Sequence, residues 1–172
     1  MSARRPPIAP AGAQSVASSA AACSRADAAG LPALECFLTY RLHLLGKLTD
    51  RDSSRAYLEE CGIALGEARC LAAIGRFAPL SVNDLARAAN LDKGHASRSA
   101  QALVERGLVS KAVSEADGRG VVLAPTAEGR ARYRKVIRLI ERRNREIFGA
   151  LSEAEQAQLA AMLDRVIASL RE

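Results

Sequence analysis

One stretch, Leu80 to Thr126, constrains the fold of this chain more than any other: LSVNDLARAANLDKGHASRSAQALVERGLVSKAVSEADGRGVVLAPT. Ser81 and Asp92 are N-cap residues for two short helices, predicted over 82–89 and 93–106. Their side-chain oxygens accept hydrogen bonds from the unpaired amides of a first turn. Gly107 follows the second helix, where a left-handed residue commonly ends one. Two β-like runs come next, Leu108 to Val113 and Gly120 to Leu123, separated by the polar turn Glu115 to Arg119. Two helices joined by a turn, then a hairpin with an Arg at its tip, is the layout of a winged helix-turn-helix. In that layout the second helix enters a DNA major groove and the hairpin tip approaches the minor groove.

Apolar periodicity places the remaining helices around this stretch. Pro32 opens a helix predicted to run to about Thr49, with Leu34, Leu38, Leu42 and Leu45 on one face and Phe37 and Leu48 at its flank. Cys36, Tyr40, His43 and Lys47 gather on the opposite face. Asp50 to Ser54 breaks the pattern. A short helix from Arg55 to Cys61 and a third from Gly66 to Phe77 follow, the latter carrying Cys70, Leu71, Ile74 and Phe77. Pro79 ends it, and Leu80 reads as a one-residue strand contribution. After the hairpin, Thr126-Ala127-Glu128-Gly129 opens a long helix to about Ala150, striped by Tyr133, Val136, Ile137, Ile140, Ile147 and Phe148. Ser152 to Glu155 is a capping start for a last helix bearing Leu159, Met162, Leu163, Val166, Ile167 and Leu170. The stripes on the first and last two helices either close a bundle within one subunit or interlock with a second copy. Dimerisation suits a palindromic site.

The expected fold is therefore mainly α with a small β-hairpin wing. Residues 1–30, rich in Ala, Ser and Pro, form a tail too poor in large apolar groups to order itself. Residues 31–62 and 126–172 are dimerisation helices, and 63–125 the winged helix-turn-helix lobe. Hydrophobic content of 49% with 3% aromatic residues and no Trp fits such a helical protein of 172 residues. The formal charge of +6 favours an anionic partner. Its distribution is uneven: Thr126 to Arg145 holds eight basic residues against Glu128 and Glu141, while Ser81 to Ala124 holds six against five acidic. The reading head is nearly neutral, so its DNA affinity rests on few phosphate contacts. Cys23, Cys36, Cys61 and Cys70 lack zinc-ribbon spacing and read as reduced thiols of a cytoplasmic protein. Arg4-Arg5 before a small-residue run ending at Cys23 resembles an export signal, but Pro6, Pro7, Pro10, Gly12 and Gln14 occupy its apolar core. No membrane span, metal site or cofactor motif is expected.

On the second helix, Ala96, Ala100, Leu103 and Val104 form the buried side, and Gly94, His95, Arg98, Gln101 and Ala102 point outward. His95 and Arg98 are the base-edge candidates, Arg being suited to bidentate pairing with guanine. Lys93 and Ser97 lie at the groove margin, and Ser81 joins the DNA-contact candidates. Gly94 lets the helix start approach the backbone, and the helix N-terminus favours phosphate. Arg119 would sit at the wing tip, where it can enter a narrow minor groove, with Asp117 orienting it through an ion pair. The plainer reading is an amphipathic helix with a solvated polar face and an ordinary Asp-Gly turn.

The order Leu85-Ala86, Leu91-Asp92, Ser97-Arg98, Leu103, Glu105-Arg106-Gly107-Leu108-Val109, Asp117-x-Arg119 and Thr126-x-Glu128-Gly129 resembles the MarR family of bacterial transcriptional regulators. The resemblance runs from about Pro32 to the C-terminus. It implies a homodimer that binds pseudo-palindromic promoter DNA, usually as a repressor, and is released by a small aromatic or phenolic acid or by thiol oxidation. Two departures stand out. Gly118 precedes the wing Arg where a second charge is usual, and Leu123-Ala124-Pro125-Thr126 replaces Leu-Thr. Cys36 and Tyr40 resemble the organic-hydroperoxide-sensing branch, although Asp50 stands where a second Tyr is expected. The same face, with Cys36, Tyr40 and His43, alternatively suits a small aromatic carboxylate. A thiol enzyme using Cys36 and a winged-helix module for protein contact are the remaining alternatives. The enzyme reading has its nearest imidazole seven residues away, at His43.

Overall fold

The computed structural model of the chain describes residues 31–113 and 121–171. A 3₁₀ turn, Leu34–Cys36, precedes helix α1, Leu38–Ala56, which continues through a π turn, Tyr57–Cys61. Helices α2 (Leu65–Phe77), α3 (Val82–Ala89) and α4 (Lys93–Glu105) follow. The strands β1 (Val109–Val113) and β2 (Val121–Pro125) come next, then the long α5 (Ala127–Phe148) and α6 (Glu153–Ser169). The contacts divide the chain into two units, 1–48 and 49–172. The expected architecture, helical with one antiparallel hairpin, is the one observed.

Local chemistry sets most boundaries. Ser81 Oγ accepts from the Asp84 amide, Asp92 from the His95 amide and Thr126 Oγ1 from the Gly129 amide. Ser152 and Glu155 form a reciprocal capping box at the start of α6. Asn90, left-handed at φ 52°, turns the chain between α3 and α4, and Gly107 at φ 69° ends α4. The hairpin pairs Val109 with Pro125 and Val113 with Val121. Leu80 forms the expected single bridge, exchanging backbone hydrogen bonds of 3.2 and 2.8 Å with Leu123.

The expected break at Asp50 to Ser54 is corrected: α1 runs through it to Ala56. Ser54 Oγ donates to the Asp50 carbonyl at 2.6 Å, and Asp50 is held by Arg69 of α2 at 2.6 Å. Polar residues that would favour a turn in isolation are thus satisfied within the helix and across to its neighbour. The expected helix start at Pro32 is likewise replaced by the 3₁₀ turn.

The core of the second unit lies where α2, α3, α4, the hairpin and α5 meet. Leu71, Ile74, Leu85, Leu103, Leu123 and Val136 have no exposed surface, each such burial being worth about 1.5–3 kcal/mol. Along α5 the buried residues are Gly129, Val136 and Leu139, whereas Ile137 and Ile140 of the expected stripe are exposed. Phe77 is also exposed, its ring under the Arg76 guanidinium. The Leu34, Leu38, Leu42 and Leu45 face is exposed in the single chain, as are Met162, Leu163, Val166, Ile167 and Leu170 of α6.

Two glycines permit close crossings. A Cβ at Gly75 would lie 2.3 Å from Tyr133 Cδ2, where α2 and α5 meet. A Cβ at Gly129 would lie 1.8 Å from the Leu108 carbonyl oxygen. Backbone cannot give way as a side-chain tip can, so Gly129→Ala is expected to destabilise the protein by about 2–3 kcal/mol, the upper range of overpacking. Thr126→Ser, which keeps the capping hydroxyl, is expected to stay near the parent. Urea unfolding followed by circular dichroism compares the two.

Candidate nucleic-acid interface

The helix that would enter the groove, α4, is anchored from behind. Ala96, Ala100 and Leu103 are buried beneath it, as expected; Val104 is half-buried. Ser99, also buried, faces the Cys70 thiol of α2. Burial pushes that thiol up to about 11, against which Ser99 acts weakly. Cys70 is thus a neutral buried thiol at the contact of α4 with α2, with no thiolate character.

The outward face carries the candidates. Lys93, His95, Ser97 and Arg98 are all exposed. Lys93 and Arg98 make neither a hydrogen bond nor an ion pair with any described residue. The other described cations of the head are engaged. Arg87 pairs with Asp84, Arg106 Nη1 donates to the Gly62 carbonyl at 2.6 Å, and Lys111 Nζ donates to Gln101 Oε1 at 2.7 Å. Gln101 in turn donates to Glu105 at 2.9 Å, so the back of α4 is tied to β1. Arg98 reaches over the helix start, its Nη1 3.4 Å from the place a Cβ at Gly94 would occupy. His95 is less free than its wheel position implied. Its Nδ1 stands 3.8 Å from Asp92 Oδ2, and its Nε2 3.6 Å from where a Cβ of Gly66 would be. Ser81, the remaining described candidate, is half-buried and spends its hydroxyl on the Asp84 amide and carboxylate, at 3.1 and 2.6 Å. Asp117 and Arg119 lie outside the described residues.

In the unit ending at Leu48, Cys36 closes the 3₁₀ turn and Tyr40 follows on α1, both half-buried, with His43 and Lys47 exposed. In the second unit a different cleft appears that sequence reasoning missed. Two adjoining grooves of about 450 and 200 Å³ share Tyr57, Arg69 and Ile140. Arg143 and Asn144 line the smaller one. Arg143 is 19% exposed; it grips Glu146 with Nη1 at 2.5 Å, yet its buried Nε has no acceptor among the described residues. Burial also pushes the Tyr57 phenol up, keeping it a neutral donor. These residues come from α1's π turn, α2 and α5, so no short motif marks them. Among the described residues no helix is long and apolar enough to cross a membrane.

Comparison with known proteins agrees with this layout. A family model described as MarR family matches residues 62–120. The HTH-type transcriptional regulator BilQ of Clostridium symbiosum is 29% identical over 112 residues, covering 65% of this chain and 78% of BilQ. A Bordetella bronchiseptica BpsR structure, titled for regulation of its DNA binding by 6-hydroxynicotinic acid, superposes with a TM-score of 0.72 at 19% identity. It covers 80% of this chain and 97% of BpsR. The Staphylococcus aureus MepR–DNA complex gives a TM-score of 0.68 at 19% identity, over 77% of this chain and 98% of that one.

The caps of α3 and α4 carry a pH signature. Asp92 is held below the usual carboxylate range, first by the His95 amide; Asp84 likewise, first by the Ser81 hydroxyl and then by Arg87. A carboxylate whose folded pKa is lowered contributes stability that is present above its unfolded value, about 3.9, and lost as pH falls through the folded one. Asp92→Asn keeps an acceptor but cannot titrate. It is therefore expected to show a smaller loss of thermal midpoint between pH 6 and pH 3 than the parent, by differential scanning calorimetry.

Proposed function

We propose that this chain is a DNA-binding transcriptional regulator of the MarR family, whose model matches residues 62–120, and that it is a homodimeric repressor of pseudo-palindromic promoter sites, acting in the cytoplasm and released by a small aromatic acid. The observation that carries this reading is α4 itself. It is capped by Asp92, buttressed by Ser99 and Cys70, and followed by a hairpin, and it offers Lys93, Ser97 and Arg98 on an exposed face. Arg98 is assigned to base edges, Lys93 and Ser97 to the groove margin, and Arg119, with Asp117 beside it in sequence, to the minor groove. His95 and Ser81 fall to supporting places, one against Gly66 and Asp92, the other as a cap.

Dimerisation is supported by the exposed leucines of α1 and the exposed Met162, Leu163, Val166 and Ile167 of α6. Exposed apolar helix faces of this kind mark interaction surfaces. Residues 31–62 and 126–172 are the proposed dimerisation helices, 63–125 the lobe, and 1–30 a tail. Two lobes on one dimer place two copies of α4 for the half-sites of a palindrome.

For the effector, the Tyr57–Arg69 cleft is favoured over the Cys36, Tyr40 and His43 face. A carboxylate there would compete with Asp50 for Arg69 and supply the acceptor that Arg143 Nε lacks, an unmet bond worth about 1–3 kcal/mol. An aromatic body would fit against Ile140 and Ala72. The 6-hydroxynicotinic acid in the BpsR title is an aromatic acid of this class. Burial pushes both Cys61 and Cys70 up, so neither favours a thiolate switch. No catalytic role is assigned to any residue.

Footprinting on the gene's own upstream region, with and without benzoate-type acids and peroxide, tests the whole reading. In mobility-shift titrations Arg98→Ala is expected to reduce discrimination between operator and scrambled DNA by about 1–3 kcal/mol, and Arg119→Ala to weaken both about equally. Parent-like binding by both variants removes these assignments. Arg69→Gln is expected to leave operator affinity unchanged while reducing release by benzoate-type acids; full release by that variant removes the cleft.

A further inference from the structure

A second concavity lies on another side of α5, a groove of about 500 Å³ that shares no lining residue with the Tyr57–Arg69 cleft. Lys135, Arg138, Arg142 and Arg145 line it. At 3.6 residues per turn these four side chains fall within about 80° of arc on one helix face. Arg142 is taken by Glu60 and, at 3.5 Å, by Glu146; Arg145 by Glu141 at 2.8 Å. Lys135 and Arg138 have no ion pair or hydrogen bond with any described residue. The floor is apolar: Leu139 and Cys61 are each 2% exposed. Burial and the neighbouring Glu60 push the Cys61 thiol up, so it adds no negative charge. Four cations against Glu60 and Glu141 leave the groove positive over an apolar floor, a combination that focuses potential on an anion.

We propose that this groove is a second effector site, taking a small organic dianion with a short apolar body: a phosphorylated or dicarboxylic metabolite. Its volume is that of a small-molecule pocket, commonly about 300–1,000 Å³. One charge of the ligand meets Lys135 and Arg138, which lack partners. The other competes with Glu60 for Arg142. Glu60 belongs to the π turn Tyr57–Cys61, and Arg132 of α5 also grips that turn by donating to the Cys61 carbonyl. Such turns recur at functional sites. An anion in the groove thereby loosens one of the two ties between the π turn and α5.

The test is calorimetric titration of the full chain, without DNA, using glycerol 3-phosphate and succinate at a constant ionic strength set with sodium chloride. Working without DNA separates this outcome from that of the operator experiments. One or both dianions are expected to bind. Lys135→Gln with Arg138→Gln is expected to weaken that binding about tenfold or more, two exposed charge contacts being lost. Both side chains are exposed and unpaired, so the thermal midpoint of the variant should match the parent. Glu60→Gln, which frees Arg142, is expected to tighten binding. Glycerol 3-phosphate binding alone assigns a phosphate ligand, and succinate binding alone a dicarboxylate. If neither dianion binds, or if the double variant binds as the parent does, the proposal is overturned.

Discussion

The lobe depends on the crossing of α5 over the backbone of Leu108. The Thr126 amide donates to the Leu108 carbonyl at 3.1 Å. Its hydroxyl donates to the Gly107 carbonyl at 2.7 Å and accepts from the Gly129 amide at 3.0 Å. Gly129 has no Cβ because one would overlap that same Leu108 carbonyl. Gly107, left-handed, has just ended α4, and Val109 begins β1. Four elements thus share one knot of backbone: the end of α4, both strands of the hairpin and the start of α5. Leu80 adds the approach to α3 through its bridge to Leu123. Moving α5 therefore moves the base of the wing and the end of α4, because these bonds join them directly.

The knot explains why two separated sequence clusters, Arg106-Gly107-Leu108-Val109 and Thr126-x-Glu128-Gly129, carry more information together than apart. Each half is what the other needs: a carbonyl pair exposed by a left-handed glycine, and a hydroxyl and glycine that seat on it. The capping residues Ser81, Asp92 and Ser152 were legible for the related reason that a cap is chosen by its own next three residues. The signal and the structure live within one turn.

What stayed hidden was decided across long sequence distances. Asp50 to Ser54 is polar enough to end a helix, but Arg69, nineteen residues on, pairs with Asp50 and the helix persists. The Tyr57–Arg69–Arg143 cleft draws on three elements, and its distinguishing mark is one nitrogen without an acceptor. The apolar stripes were read correctly as stripes along α1 and α6, but a wheel gives a face and not its partner. Leu139 is buried while Ile137 and Ile140 of the expected stripe are exposed, because helical periodicity marks a broad stripe and not which flank of it the neighbouring elements cover.

Charge shows the same division between sum and placement. The strongly basic run on α5 suggested an anion-seeking helix, yet much of it is structural. Arg130 donates to the Pro125 carbonyl at 2.8 Å, Arg132 to that of Cys61, and Arg142, Arg143 and Arg145 are paired with glutamates. The nearly neutral head, by contrast, leaves Lys93 and Arg98 unpaired where a groove would meet them. A cation already satisfied by a carbonyl contributes little to phosphate affinity, since binding must first break that bond. The unpaired cations therefore sort the surface better than the total of +6 does. On α5 they are Arg134, Lys135 and Arg138, the last two beside the groove, with the Tyr57–Arg69 cleft reached from other faces of the same helix. α5 is thus the element that touches both concavities and also starts at the knot holding α4. A ligand in either place would act on a helix whose first turn is bonded to the backbone at which α4 ends.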